Sequence, residues 1–315
     1  MFHSRSPTMM SVGAPHVCDI DHRDPGWVAS GTMRARVQGL GGMRKRRLDT
    51  LLAERGLFAS RTRAAASVMA GEVRLGVGER RALKPGEMVD VDEVVRVQER
   101  PAFVSRGGIK LANALASSGL VVEGRRALDV GASTGGFTDC LLQRGAREVI
   151  AVDVGYGTLE YSLRTDPRVA VMERTNARAL TPAMLPAATL PPDCPPDLAT
   201  VDVSFISLGK VLGAVIGCLA AGYDVLALVK PQFELGRGRV GKGGVVRDPA
   251  DRREALLGVG ETAIGLGAAV LGYHSSELPG PKGNRETFIW LSDPAGGRGV
   301  RDTAELEAMA REVEP

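Results

Sequence analysis

Two lysines and two acids stand where a strand-based fold would expose them together. Lys110 lies in the helical stretch I-K-L-A-N-A-L-A-S-S-G, Asp202 ends the apolar run L-A-T-V-D, Lys230 ends D-V-L-A-L-V-K, and Glu286 opens N-R-E-T-F-I-W-L. A lysine can take a proton from a weakly acidic hydroxyl only if burial or a neighbouring cation draws its pKa from about 10.4 towards neutrality, and a second lysine supplies such repulsion. Carboxylates are then needed to orient both amines. Taken singly, Lys110 reads as a surface helix lysine and Glu286 as a charge at a strand edge. Lys230 is less ordinary, because it follows an apolar strand directly, precedes Pro231, and so emerges at the strand's end.

The elements that would position these four belong to an alternating strand–helix pattern that starts at Arg125. Residues 127–130, 148–152, 198–203 and 225–229 read as buried strands, separated by helical stretches and short glycine-bearing loops. That alternation predicts an α/β fold with a doubly wound parallel sheet, which binds ligands at the carboxyl ends of its strands. The first strand runs into G-A-S-T-G-G, in which Gly131, Ser133 and Gly136 make an imperfect dinucleotide fingerprint. Asp129, two residues earlier, would repel a pyrophosphate but attract the ammonium of S-adenosylmethionine. Asp153, at the end of the second strand, is placed to accept two ribose hydroxyls from either nucleotide. These residues favour S-adenosylmethionine and leave a dinucleotide, or a loop without a ligand, open. With the methyl donor, the lysine–acid set suits transfer to a hydroxyl such as a ribose 2′-OH.

The first part of the chain has a different composition. Between Arg44 and Lys84, eleven cations face four anions, an excess that suits a polyanionic partner although the net charge of the chain is only +3. Here R-L-D-T-L-L-A-E-R-G predicts a short helix ending at Gly56. S-R-T-R-A-A-A-S-V-M-A-G predicts a second, N-capped by Ser60 and ending at Gly71. Short β-type runs follow at 72–75, 88–91 and 94–98, with a Lys84-Pro85-Gly86 turn after the first. Residues 1–42 show no period and are expected to be disordered. The 315 residues allow two domains. Cys18, Cys140, Cys194 and Cys218 form no C-x-x-C pair, which argues against a zinc site or disulfide framework and fits a cytoplasmic protein. The apolar stretch 211–229 approaches the length of a membrane span, but its glycines and Asp224 favour a buried helix leading into a buried strand. No signal peptide or membrane association is expected.

Two resemblances follow from these motifs. R-L-D-x-L-L, S-R-x-x-A, G-E-V-R-L and K-P-G-E-x-V-x-V, over most of 46–100, resemble the S4 RNA-binding domain. That resemblance places Arg47, Arg61 and Arg63 on a face meeting RNA phosphates, where they would neutralise charge without reading sequence. S-R-G-G-x-K-L, L-D-V-G-A-S-T-G-G-F-T-D, D-V-S-F-I-S-L, L-V-K-P-Q-F-E and G-N-x-E-T-F are similar to the TlyA (hemolysin A) family, whose catalytic half resembles FtsJ-like ribose 2′-O-methyltransferases. The match runs from about Arg47 to Leu291. It implies a Rossmann-like methyltransferase sheet behind a small α+β S4-type domain. It also implies S-adenosylmethionine as cofactor, no metal, and ribosomal RNA, methylated at a cytidine ribose, as partner and substrate. The family's catalytic tetrad falls on Lys110, Asp202, Lys230 and Glu286, with Lys230 as the base, Lys110 and Asp202 tuning it and Glu286 orienting the group. The donor site falls on Asp129, Gly131, Ser133, Gly135, Gly136, Phe137 and Asp153, with Asn176 near the adenine, and Arg106 joins the RNA-binding cations.

The expected organisation is an extension over 1–42, an S4-like domain over 43–100, and a linker with the Lys110 helix over 101–126. A methyltransferase domain over 127–293 and a tail over 294–315 complete it. Two segments stand apart from the resemblance: 1–42 has no placed counterpart, and 182–196 is unusually proline-rich. The loop G-R-G-R-V-G-K-G-G-V-V-R-D (236–248) reads as a flap meeting RNA through Arg237, Arg239 and Lys242. Three other readings compete: an RNA-binding protein without activity, a membrane-lytic protein as the older family name suggests, and a base methyltransferase or NAD enzyme on the same fold. The intact tetrad opposes the first, the absence of a barrel pattern or clean span opposes the second, and a base methyltransferase has little use for two lysines.

Overall fold

The computed structural model describes residues 44–98, 101–187, 194–241 and 243–314. The extension 1–42, Met43 and Lys242 lie outside them. The chain forms two compact units that divide after Gln98.

In the first unit, strand β1 (Lys45–Arg47) leads into helix α1 (Leu48–Glu54), and helix α2 (Arg61–Ala70) follows. Ser60 caps α2 by accepting the Arg63 N–H at 3.2 Å, and Gly71 ends it in the left-handed conformation at φ +79°, both as the sequence predicts. Strands β2 (Val73–Leu75), β3 (Arg80–Arg81), β4 (Met88–Asp90) and β5 (Val95–Val97) complete the unit. β2 is the centre of a three-stranded antiparallel sheet, while β4 pairs with β1. The short strand β1, a cationic K-R-R without apolar alternation, gives no sequence signal. Leu48, Leu52, Ala64, Val73 and Leu75 form the core between helices and sheet.

The second unit opens with helix α3 (Arg106–Ser118), closed by Gly119 at φ +71°. The unit continues through β6 (Arg126–Val130), α4 (Gly136–Gln143), β7 (Glu148–Val152), α5 (Tyr161–Arg164), β8 (Val169–Met172), β9 (Leu198–Val201), α6 (Leu212–Ile216), β10 (Asp224–Val229) and α7 (Pro231–Glu234). It ends with α8 (Pro249–Gly265), β11 (Ala269–Ser275), β12 (Thr287–Ser292) and α9 (Thr303–Val313). One seven-stranded sheet has the order β11-β12-β10-β9-β6-β7-β8. β8, β7, β6, β9 and β10 run parallel, and β12 runs antiparallel between β10 and β11. The expected doubly wound parallel sheet is present, with β12 running against its neighbours, a direction no apolar pattern specifies. β6, β7, β9 and β10 are buried along their whole length, as strands covered on both faces must be. Leu111, Leu115, Phe137 and Leu141 of α3 and α4 cover one face; Leu212, Leu256, Val259 and Leu306 of α6, α8 and α9 cover the other.

The apolar stretch 211–229 is the short helix α6 followed by β10. No helix of the described residues is long and apolar enough to cross a membrane. The expected tail 294–315 is corrected: α9 packs Leu306 and Ala310, both fully buried, against the sheet's outer helix layer, because apolar residues four apart face α8 and β11. The expected linker helix is likewise an integral wall of this unit.

At the amino end of the strands, opposite the loops that carry the tetrad, Arg126 of β6 and Glu148 of β7 form an ion pair at 3.1 Å with both side chains buried. Glu148→Ala leaves that guanidinium without its counter-charge and should destabilise the unit by about 3–5 kcal/mol. A shift of the urea midpoint in equilibrium unfolding checks this; an unchanged midpoint would show that the Pro186 and Cys194 carbonyls, which also accept from Arg126, suffice.

Candidate active site

The strand order reverses between β6 and β9, and the loops leaving their carboxyl ends diverge there to open a crevice. A cavity of about 750 Å³ occupies this edge. Lys110, Asp202, Lys230 and Glu286 all line it, although they come from four distant parts of the sequence. Asp202 follows β9 and Lys230 follows β10, so parallel neighbours deliver them to the same edge. Glu286 reaches it only because β12 is antiparallel: Thr287 pairs with Val229, which sets the residue before Thr287 next to the residue after Val229. Lys110 arrives from α3, with its side chain buried.

The four form two ion pairs. Lys110 Nζ donates to Glu286 Oε2, both side chains being almost fully buried. Lys230 Nζ lies 2.5 Å from Asp202 Oδ1 and donates to Ser204 Oγ at 2.9 Å. Asp202 Oδ1 has that ion-pair contact but no hydrogen-bond donor among the described residues. The two-lysine repulsion expected from sequence is thus balanced by a carboxylate against each ammonium. Two glycines permit the close approach: a Cβ at Gly280 would collide with the Glu286 carboxylate, and one at Gly131 with the Asp202 carbonyl.

The glycine-rich turn forms the neighbouring wall. Gly131 (φ +86°), Ser133 (φ +50°) and Gly135 (φ +98°) all take left-handed backbone conformations. Gly131, Ser133, Gly136 and Phe137 line the cavity. Gly131 N–H and Ala132 N–H donate to Val152 O, and Ser133 N–H donates to Asp153 Oδ2 at 2.8 Å. Such a turn at the start of α4 and at the cavity's edge fits the amino-acid end of a methyl donor.

Three sequence-assigned donor residues hydrogen-bond within the protein. Asp129 is fully buried, accepting Thr138 Oγ1 at 2.7 Å and Thr200 Oγ1 at 3.1 Å, and does not line the cavity. Burial pushes its carboxyl up to about 7 against the pull of the two threonines, and the nearby charge of Asp202 adds to the rise. Its position supports the turn from beneath. Asp153 uses both oxygens to fasten backbone, accepting Gly155 N–H at 2.7 Å as well as Ser133 N–H. Exposed Asn176 caps the 3₁₀ turn Ala177–Ala179 by accepting Arg178 N–H.

Several residues at the cavity carry no sequence assignment. Phe205 is 91% exposed, sits at φ +66°, and packs on Phe233 with ring centroids 5.3 Å apart. Both rings line the cavity, as does Lys282. The signal lay in D-V-S-F-I-S-L and K-P-Q-F-E, where aromatics follow two tetrad members in a chain with only 4% aromatics. The loop 236–248, expected as an RNA-meeting flap, is tied at both ends. Arg239 pairs with Glu254 and Asp251 of α8. Val246 N–H donates to Asn284 Oδ1, and Asn284 Nδ2 donates to Gly244 O, each at 2.8 Å. Val240 and Gly244 of this loop wall the cavity. Arg106 also lines it and donates to Pro279 O at 2.8 Å.

In the first unit, Arg47 and Arg61 converge on buried Asp49, at 2.8 and 3.4 Å, with their own side chains about half exposed. The Arg47 hydrogen bond holds the Asp49 carboxyl well below the usual carboxylate range. Exposed Arg63 makes no ion pair with a described residue.

Comparison with known proteins agrees with this geometry. Residues 103–293 match the model of the FtsJ-like methyltransferase family. A Mycobacterium tuberculosis protein named 16S/23S rRNA (cytidine-2′-O)-methyltransferase TlyA is 49% identical over 79% of this chain and 90% of its own length. Hemolysin A of Brachyspira hyodysenteriae is 38% identical over 76% of this chain and 97% of its own. A solved Streptococcus thermophilus structure described as a hemolysin superposes with a TM-score of 0.62 at 39% identity, covering 86% of this chain and 96% of that one. The chain belongs to the FtsJ-like methyltransferases and, within them, to the TlyA (hemolysin A) family.

The raised Asp129 carboxyl has a defined consequence for stability. The folded state keeps this proton up to about pH 7, whereas a free aspartate loses it near 3.8. Between those values the folded state binds the extra proton, so stability falls as pH rises through the window and levels off above it. Asp129→Asn should flatten that part of the profile by a few kcal/mol. Urea unfolding at pH 5 and pH 8 measures the difference; an equal slope in wild type and variant would show the carboxylate to be charged throughout.

Proposed function

We propose that the second unit transfers a methyl group from S-adenosylmethionine to the ribose 2′-hydroxyl of a cytidine in ribosomal RNA. We also propose that the first unit is an S4-type RNA-binding domain. The observation that carries the catalytic reading is the placement of two lysine–carboxylate pairs around one cavity beside a glycine-rich turn. A cytoplasmic setting follows from a ribosomal substrate.

Bound S-adenosylmethionine would supply an electrophilic methyl group on a sulfonium. Lys230 Nζ, as the neutral amine, would take the proton of the 2′-hydroxyl as that oxygen attacks the methyl group. Asp202 and Ser204 fix the direction of that amine. Lys110, held by Glu286, supplies a donor to the ribose oxygens. The turn at Gly131, Ser133 and Gly136 receives the donor's polar end. Phe205 offers a free aromatic face to a base turned out of its stack, with Phe233 supporting it from behind. Arg106 and Lys282 meet the phosphates of the strand that brings the nucleotide in.

Carry-over from the TlyA proteins supports the ribosomal substrate, and the basic surface of the first unit supports a polyanion. Arg47, Arg61 and Arg63 would contact backbone phosphates there, with Asp49 orienting the first two.

Methyl transfer from labelled S-adenosylmethionine to unmodified, separated ribosomal subunits tests the reading. Wild type should label one alkali-resistant dinucleotide, while Lys230→Ala and Asp202→Ala should each lose about 10²–10⁴ in kcat with donor affinity retained. No donor binding, or transfer undiminished in Lys230→Ala, would refute it. For the first unit, Arg61→Ala with Arg63→Ala should lower the salt slope of RNA binding by about 1 for each lost phosphate contact. An unchanged slope would remove these arginines from the RNA face.

A further inference from the structure

Asp202 to Leu208 is the part of the site with the least backbone support. Asp202 N–H donates to Val130 O at its start, but no backbone hydrogen bond among the described residues involves 203–206. Yet this loop carries Phe205 in a left-handed conformation that bulky side chains rarely adopt, with its ring almost entirely exposed. Nothing in its local sequence favours that state. Contacts from outside the loop must hold it.

Those contacts come from Lys230 and the single turn of α7. Lys230 Nζ donates to Ser204 Oγ, and Phe233 packs against Phe205. Glu234 closes the series: its Oε2 accepts Ser207 Oγ at 2.6 Å and its Oε1 accepts Leu208 N–H at 2.9 Å. The two segments are fastened side chain by side chain along their length, and Glu234 anchors the far end. Glu234 does not line the cavity and has no cationic partner among the described residues. Burial raises its pKa against both hydrogen bonds. A half-buried acid without a counter-ion is a poor choice for stability alone. A carboxylate does, however, accept from a hydroxyl and an amide at once with separate oxygens.

We propose that Glu234 is a positioning residue, which fastens the 202–208 loop to α7 and so holds Phe205 where it meets the target base. This rests on the methyl-transfer reading above. Glu234 touches neither donor nor substrate; its effect passes through Ser207 and Leu208 to Phe205.

The test uses the full chain, labelled S-adenosylmethionine at saturation, unmodified ribosomal subunits as substrate, and calorimetry for donor affinity. Glu234→Ala should lower kcat/KM for RNA by about 10- to 100-fold while donor Kd stays within about twofold. Glu234→Gln, which still accepts Leu208 N–H, should recover most of the loss. Ser207→Ala, a mild change that breaks one of the two bonds, should show a smaller defect of the same kind. In a Phe205→Ala background the further cost of Glu234→Ala should shrink to less than about threefold, because the group it positions is gone. Equal costs in both backgrounds would overturn the proposal. So would activity of Glu234→Ala within about twofold of wild type, or donor affinity falling in step with activity across all variants. Wild type failing to methylate any subunit would refute the functional reading and this proposal with it; an active wild type with an indifferent Glu234 refutes only the proposal.

Discussion

Two lysines can share one partly buried cavity only if each brings its own counter-charge, and this constraint reaches far into the second unit. A buried lysine left alone would shed its proton or unfold its surroundings. Lys110 is therefore paired with Glu286 and Lys230 with Asp202. Parallel strands β9 and β10 deliver Asp202 and Lys230 to the carboxyl edge without further adjustment. The second carboxylate has to reach the same edge from the start of a strand, which requires β12 to run against its neighbours. Its Val229–Thr287 pairing fixes the register, and a shift by one residue would turn the strand's faces over. Gly280 then leaves the space into which the Glu286 carboxylate fits. Sheet direction, register and one missing side chain thus all serve a single charge balance.

The sequence was most informative where a local rule and the global arrangement coincide. Buried strands β6, β7, β9 and β10 were legible from apolar runs bounded by turns, the caps of α2 and α3 from Ser60, Gly71 and Gly119, and the meeting of Asp202 and Lys230 at one edge from their place at strand ends. The direction of β12 was not legible, because an apolar strand reads the same both ways. Helix α9 was missed because its few apolar residues look like a tail until α8 is there to cover them. Strand β1 was missed because its three residues are basic and exposed; only backbone pairing with β4 makes them a strand.

Asp129 illustrates a subtler gap. The spacing before Gly131 places an acid at the root of the glycine-rich turn. Spacing alone does not say whether a side chain at the end of a strand faces the crevice or the layer beneath it. Here it faces inward, where Thr138 of α4 and Thr200 of β9 supply hydroxyl donors. The acid therefore joins helix, turn and neighbouring strand through one group. Asp153 does similar work between the loops after β6 and β7. Both carboxylates shape the backbone that would receive a ligand, a role that residue type cannot distinguish from direct contact.

The aromatic pair shows how a scarce residue type can be concentrated at a site. Phe205 is held in a conformation that costs roughly 1–3 kcal/mol, and strain of this kind persists only where the surroundings over-determine it. The surroundings are the same short segment that carries Lys230, so the proposed base and the proposed base-stacking ring are fixed by one element. Any motion that withdrew Phe205 would also pull on Ser204, which accepts from the Lys230 amine. The proposed recognition of an everted nucleotide and the proposed orientation of the proton acceptor would in this way be mechanically joined. A loop built around its own hydrogen bonds would separate the two; this loop, fastened through side chains to α7, links them.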